Sequence, residues 1–170
     1  EGYQAFYVAV GLQQASKLNI AGEDLTGVKS GLDFLREVNA GKLKKLTGDV
    51  VVIGGGMTAV DAAVQSRKLG AREVTIVYRR GQDRMSASGH EQDHATGTGV
   101  RIRTNAAPVA LHQGDAGAEI EFAYTTDGPD GLQHLAETFR LRADQVLSAI
   151  GQRLVVMPDG LIVAGGKIAV

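Results

Sequence analysis

The sequence predicts an α/β fold around a parallel sheet, and three neighbouring segments support this prediction. Residues 50–63, VVVIGGGMTAVDAA, pass from four β-branched residues through three glycines into helix formers. They indicate a strand over 49–53 and a helix over 58–68, with Gly70 as the helix stop. The apolar run over 73–78 predicts a second strand. Strand, helix and strand in this order form a right-handed unit with parallel strands, as in Rossmann-like folds.

The segment before this unit predicts one strand and one helix. Residues 5–10, AFYVAV, predict a short buried strand. Residues 30–33, SGLD, form a capping-box pattern, in which the hydroxyl and the carboxylate each satisfy a free backbone N–H. Gly41 predicts the end of the helix that follows. The apolar residues of that helix share one face: Leu32, Leu35 and Val38.

Beyond the glycine-rich unit the pattern changes from helices to short strands. A weaker helix is predicted over 86–95, and a strand begins at Val100. The turn sequence DGPDG predicts a reversal of the chain within the region that follows. Further strands are predicted as follows: residues 108–111, 119–124 and 139–141 as short antiparallel strands, residues 145–150 as a buried strand, and LIV with KIAV as a hairpin across Gly165-Gly166.

The glycine run matches the dinucleotide-binding pattern G-x-G-x-x-G/A. Gly54 permits the tight turn out of the strand, Gly56 lets the backbone approach a pyrophosphate, and Ala59 allows close helix packing. The N–H groups of Gly56, Met57 and Thr58 are predicted to face the anion, assisted by the helix dipole. Because the motif follows a strand and opens a helix, it predicts dinucleotide binding rather than a structural turn.

The end of the second strand indicates which dinucleotide is bound. An NAD site places an acidic residue about 20 residues past the motif. Here the sequence is Tyr78-Arg79-Arg80, with Arg84 close behind. Guanidinium groups bind phosphate oxygens in a charge-assisted and often bidentate manner, so these residues favour NADPH over NADH. Arginine also stacks on adenine, which leaves NADH open as the alternative cofactor.

The composition excludes several classes of function. Its 170 residues suffice for one ordinary domain, with 44% hydrophobic and 22% charged residues. With 18 basic and 19 acidic residues, a general nucleic-acid or membrane surface is not expected. Without Cys, the chain builds no disulfide, thiolate metal site or iron–sulfur cluster, which fits a reducing, cytoplasmic location.

A second motif, HEQDH over residues 90–94, matches the zinc-protease pattern H-E-x-x-H. On a helix, His90 and His94 share a face and Glu91 could act as the base. The flanking glycines and the absence of an obvious third ligand favour a polar surface helix instead. A metal-dependent hydrolase is therefore the alternative from a different functional class.

Five stretches in this order resemble the small (β) subunit of glutamate synthase: IAGEDLTGV, GLDFLREVN, VVVIGGGMTAVDAA, LGAREVTIVYRR and AIGQ. They are equally similar to the flavin-containing part of dihydropyrimidine dehydrogenase and to the small subunit of its bacterial counterpart. The resemblance implies a two-domain flavoprotein fold, in which an NAD(P)H domain with a three-stranded antiparallel crossover is inserted into an FAD domain. Residues 1–170 are then a single NAD(P)H-binding domain, with residues 1–20 and 152–170 as remnants of the FAD domain.

The resemblance also implies a cofactor, partners and site residues. NADPH is the expected cofactor of this chain, FAD belongs to the full-length protein, and the isolated domain is not expected to turn over. The expected partners are the FAD domain of the same chain and an iron–sulfur or synthase/reductase subunit. Met57 and Ser86 stand where the family usually has Asn and Pro. The implied cofactor-binding residues are Gly54, Gly55, Gly56, Met57 and Thr58 for the pyrophosphate, Arg79, Arg80 and Arg84 for the 2′-phosphate, and Ala149, Ile150 and Gly151 beside the nicotinamide.

Overall fold

A computed structural model describes residues 2, 4–5, 7–114, 117–155, 160–164 and 167–168. The helices are α1 (Gly31–Asn39), α2 (Met57–Lys68) and α3 (Gly89–Gly97), with a 3₁₀ turn at Gln82–Arg84. The strands are β1 (Gln14–Ala15), β2 (Val28–Ser30), β3 (Asp49–Ile53), β4 (Glu73–Val77), β5 (Arg101–Arg103), β6 (Ala106–Gly114), β7 (Gly117–Gly128), β8 (Gly131–Ala143), β9 (Gln145–Ser148), β10 (Gln152–Arg153), β11 (Val163–Ala164) and β12 (Lys167–Ile168).

The central layer is a five-stranded parallel sheet with the order β2-β9-β3-β4-β5. The glycine-rich unit supplies β3, α2 and β4, which confirms the predicted α/β class. The helix begins at Met57, one residue earlier than predicted, and Gly70 ends it with a φ of +103°. Since all five strands are parallel, their carboxyl ends share one edge, where ligands bind in folds of this kind.

The two faces of the parallel sheet bury separate hydrophobic cores. The helices cover one face, where Phe34 of α1 is fully buried and three alanines of α2 lie against the sheet: Ala59, Ala62 and Ala63. The complete burial of these small side chains confirms the predicted close approach of α2 to the sheet. The antiparallel sheet β6-β7-β8 covers the other face through Ile120 and Phe122, both fully buried.

The antiparallel strands are longer than the sequence predicts. The sequence predicts short strands over residues 108–111, 119–124 and 139–141, whereas the observed strands β6, β7 and β8 extend well beyond these segments. Much of β8 is exposed and polar, so its outer part lacks the apolar alternation that marks a strand. The predicted DGPDG turn does join β7 to β8. The Arg103 guanidinium, from β5 of the parallel sheet, lies over the Phe139 ring of β8, 3.4 Å from its centroid.

The predicted strand over residues 5–10 is wrong for its described residues. Residues 7–10 are in no strand, and Tyr7 is 95% exposed. No described strand pairs with them, so no ladder satisfies their backbone groups. The predicted strand over 145–150 ends earlier, at Ser148. The predicted hairpin near the C-terminus pairs β11 with β12, and Gly165-Gly166 lies outside the described residues.

The N-terminus of α1 forms half of the predicted capping box. The Ser30 hydroxyl accepts a hydrogen bond from the Asp33 N–H at 3.0 Å. The Asp33 carboxylate accepts hydrogen bonds from the Ser30 hydroxyl and from Arg36, instead of satisfying a backbone N–H. Phe34, which the sequence pattern overlooked, is the most buried side chain of this helix. Among the described residues, no helix is long and apolar enough to span a membrane.

Candidate functional site

The glycine loop between β3 and α2 is held between two neighbouring segments. The Gly54 N–H donates to the Val77 carbonyl at 3.0 Å, and its φ is +149°. A Cβ at Gly54 would collide with the Ala149 carbonyl, and one at Gly55 would collide with the Tyr78 ring. Both glycines are therefore required because the backbone passes between the end of β9 and Tyr78.

The N-terminus of α2 faces outward from this loop without a side-chain cap. Gly56 is the N-cap residue, and no side-chain oxygen accepts from the first turn. The Met57 side chain is 60% exposed, and the Thr58 hydroxyl accepts from Gln152 at 3.3 Å. The Ser86 hydroxyl lies 3.1 Å from the point that a Gly56 Cβ would occupy. The Ala59 N–H donates to the Gly56 carbonyl at 2.9 Å, which leaves the N–H groups of Met57 and Thr58, at the very start of the helix, to face an anion.

An arginine cluster lies just beyond β4 and contains more cations than anions. Arg80 and Arg84 both approach the Asp127 carboxylate, with Nε–Oδ distances of 3.3 and 4.0 Å. Arg79 is exposed and forms no ion pair within the described part of the chain. Tyr78 donates its hydroxyl hydrogen to the Arg84 carbonyl at 2.9 Å, which anchors the segment. Two of the three guanidinium groups thus share one carboxylate, Arg79 has no ion-pair partner among the described residues, and the cluster keeps a net positive charge.

Residues 149–151 lie at the same edge of the sheet as the glycine loop. The Ala149 N–H donates to the Ile53 carbonyl at 2.8 Å, which holds this segment beside Gly54. Ile150 is 43% exposed, and the Gly151 carbonyl accepts from the Ser16 N–H at 2.9 Å. The predicted site residues therefore come together along one edge.

The HEQDH motif lies on α3, where Glu91 has a structural task. The Ser88 hydroxyl accepts from the Glu91 N–H, and the Glu91 carboxylate accepts from the Ser88 N–H at 2.6 Å. Hydrogen bonding by the Ser88 side chain, and next by its N–H, lowers the pKa of Glu91. His90 and His94 are exposed, and no three potential metal ligands converge in the described ranges. The motif is used here to begin a helix.

Three further residues, which the sequence does not predict as site residues, lie at this edge: Ser86, Gln152 and Asp127. Each approaches the site from a segment that the glycine motif does not include. Ser86 and Gln152 lie in or near stretches that carry the family resemblance, but no pattern gave either of them a contact in the site, and no local pattern marks Asp127. Asp127 arrives from the far end of β7, because hydrogen bonds join that strand end to the arginine segment. Only the tertiary fold brings them into range.

Residues 2–170 match the sequence model of the pyridine nucleotide-disulphide oxidoreductase family. Among similar sequences, the NADPH-Fe(3+) oxidoreductase subunit beta of Geobacter sulfurreducens is 32% identical and covers 94% of this chain. The glutamate synthase [NADPH] small chain of Halomonas elongata is 33% identical and covers 98%. The chain spans only 26% and 36% of the lengths of these two relatives.

Solved structures share the fold at lower identity. Mycobacterium tuberculosis FprA in complex with NADPH has a TM-score of 0.70 and 22% identity, covering 90% of this chain and 51% of FprA. Lactococcus lactis thioredoxin reductase has a TM-score of 0.61 and 20% identity, covering 83% of this chain and 43% of that chain. The sheet order, the glycine loop and the family match agree, and the chain belongs to the pyridine nucleotide-disulphide oxidoreductase family.

Proposed function

We propose that this chain is the NADPH-binding domain of a flavin-dependent oxidoreductase of the glutamate synthase small-subunit type. The observation that carries the proposal is the position of two anion-attracting features at one sheet edge. One is the uncapped N-terminus of α2, and the other is the arginine cluster with its excess charge. NADPH carries a diphosphate and a separate 2′-phosphate, which match these two features. The names of the glutamate synthase and NADPH-Fe(3+) oxidoreductase relatives support this choice.

The described residues fit such a nucleotide. Gly56 has no Cβ, and the Ser86 hydroxyl lies 3.1 Å from the point that one would occupy, so a diphosphate that reaches the N–H groups of Met57 and Thr58 would pass beside this hydroxyl. The buried Nε of Arg80 has no hydrogen-bond partner among the described residues, and a phosphate oxygen would satisfy this donor. Residues 54–58 would hold the diphosphate, and Arg79, Arg80 and Arg84 would hold the 2′-phosphate.

Residues 149–151 would position the nicotinamide end. They lie beside the glycine loop on the side away from the arginine cluster, where the exposed Ile150 side chain offers an apolar surface. A bound nicotinamide supplies a hydride to a flavin, and that chemistry belongs to the two cofactors. The task of this chain is to bind and orient, so we assign it no general acid or base.

We further infer that the chain is a domain inserted into an FAD domain, with residues 1–20 and 152–170 at the junction. The antiparallel pairing of β1 with β10 supports this inference, because it brings the two connecting segments side by side. The similar proteins are named as a small chain and a β subunit. We propose the FAD domain and an iron–sulfur or synthase/reductase subunit as partners.

The proposal is tested by titrating the intact protein with NADP⁺ and NAD⁺ at several salt concentrations. The oxidised nucleotides avoid hydride transfer during the titration. We expect tighter binding of NADP⁺, and the combined Arg79→Ala and Arg80→Ala change should weaken it about 10- to 100-fold while sparing NAD⁺. The matched control removes Arg72 and Arg101, two guanidinium groups paired with Asp49 and Glu73 at the opposite edge. Binding of neither nucleotide would refute the proposal, and a preference for NAD⁺ would favour the NADH-using, pyrimidine-reducing type.

A further inference from the structure

The carboxylate in the arginine cluster belongs to a residue from a distant part of the chain. Asp127 lies at the end of β7, next to the turn into β8, and faces both Arg80 and Arg84. The three side chains are between 37% and 61% exposed, so a solute can reach part of each of them, although the Arg80 Nε itself is buried. In this arrangement Asp127 is the counter-ion of the cluster.

Asp127 holds this position because its strand is tied to the arginine segment. The Thr125 hydroxyl donates to the Arg79 carbonyl at 2.7 Å, and the Thr125 N–H donates to the Asn105 carbonyl at 2.9 Å. The Asn105 N–H in turn donates to the Arg80 carbonyl at 3.1 Å. These bonds fix the end of β7 against the backbone of the cluster, so the carboxylate stays close to the cations.

The contacts of Asp127 are, however, poor ones. The Arg80 Nε is buried and forms no hydrogen bond within the described residues, although the carboxylate is 3.3 Å away. The Arg84 Nε is at the 4.0 Å limit of an ion pair. A carboxylate in good geometry binds guanidinium nitrogens at about 2.7–2.9 Å. Asp127 therefore neutralises charge without satisfying the donors that it faces.

We propose that Asp127 is a specificity-determining residue, a placeholder anion that competes with the 2′-phosphate of NADPH for Arg80 and Arg84. This inference rests on the proposed function. A phosphate and a carboxylate seek the same guanidinium donors, and the two anions repel each other when they share them. Asp127 thus lowers the affinity for the phosphorylated nucleotide and leaves that for NADH unchanged. Because Asp127 lies on the antiparallel sheet, a residue beside the β7–β8 turn influences the preference of the protein for NADPH or NADH.

The test compares Asp127→Asn with the unsubstituted intact protein, in equilibrium titrations with NADP⁺ and with NAD⁺. The substitution removes the charge and keeps the shape. We expect NADP⁺ to bind about 3- to 10-fold more tightly and NAD⁺ to change less than about twofold. Asp130→Asn is the matched control, because Asp130 is an exposed acid in the same turn and has no ion pair within the described ranges. It should change neither affinity.

The outcomes separate this inference from the proposed function. Unchanged or weaker NADP⁺ binding by Asp127→Asn, beside a normal NADP⁺ preference in the unsubstituted protein, overturns the role of Asp127 alone. The same tightening by Asp130→Asn also overturns it, because the effect would then be one of general charge. If the unsubstituted protein shows no NADP⁺ preference and the double arginine variant behaves like it, the proposed function fails and this inference fails with it.

Discussion

Replacing Gly54 by alanine should destabilise the protein strongly, because this position has neither the backbone conformation nor the space for a side chain. Its φ of +149° lies where L-residues are strained, which costs about 1–3 kcal/mol. The added Cβ would also meet the Ala149 main-chain carbonyl, which no rotamer change can move away. Overpacking of this kind costs about 1–3 kcal/mol, so the free energy of unfolding should fall by about 2–6 kcal/mol.

Urea denaturation followed by circular dichroism measures this change. Gly97→Ala is the control, since Gly97 lies at the end of α3 with open space around it and no positive φ. It should leave the unfolding free energy unchanged or raise it by about 0.5–1 kcal/mol. A loss for Gly54→Ala of less than about 0.5 kcal/mol would be no larger than an ordinary surface substitution and would refute the reasoning. Such a result would mean that the glycine loop does not pack as closely against the end of β9 as described above.

Two further predictions concern stability. Phe122→Ala should cost about 3–5 kcal/mol in the same urea assay, because Phe122 is fully buried between the two sheets and stacks on Phe139; a cost below about 1 kcal/mol would contradict that packing. Hydrogen bonding with Arg72 lowers the pKa of Asp49 in the folded protein. The pair therefore stabilises the fold fully above the unfolded pKa of Asp49, about 4, and this stabilisation is lost as the pH falls through the lower pKa of the folded state. Arg72→Ala should therefore lower the free energy of unfolding only slightly at neutral pH, since the Arg72 side chain is largely exposed, and the two proteins should converge in acid. A difference that persists in acid would contradict the assignment.

The sequence predicted best where local chemistry decides the structure. Three glycines between β-branched residues and helix formers located β3, the loop and α2, because a glycine turn, a strand and a helix each have a short-range signature. Gly41 and Gly70 marked helix ends for the same reason, and both adopt positive φ values. Each of these signals depends on residues within a few positions of one another.

Other features depend on neighbours that are distant in sequence. Residues 7–10 are apolar enough for a buried strand, yet a strand forms only where another supplies hydrogen bonds. The length of β8 follows from pairing with β7 rather than from its own exposed residues. Similarly, arginines were predicted as phosphate ligands, but their nearest anion, Asp127, could not be identified before β7 was placed beside them.

The three buried alanines of α2 have a consequence for binding energy. Because Ala59, Ala62 and Ala63 are fully buried in the core with the sheet residues, packing fixes the helix axis before any ligand arrives. An anion at its first turn would meet donors that are already in place, so association would lose little entropy in ordering them. Enlarging one of these methyl groups would tilt the helix and weaken ligand association from a site that no ligand touches.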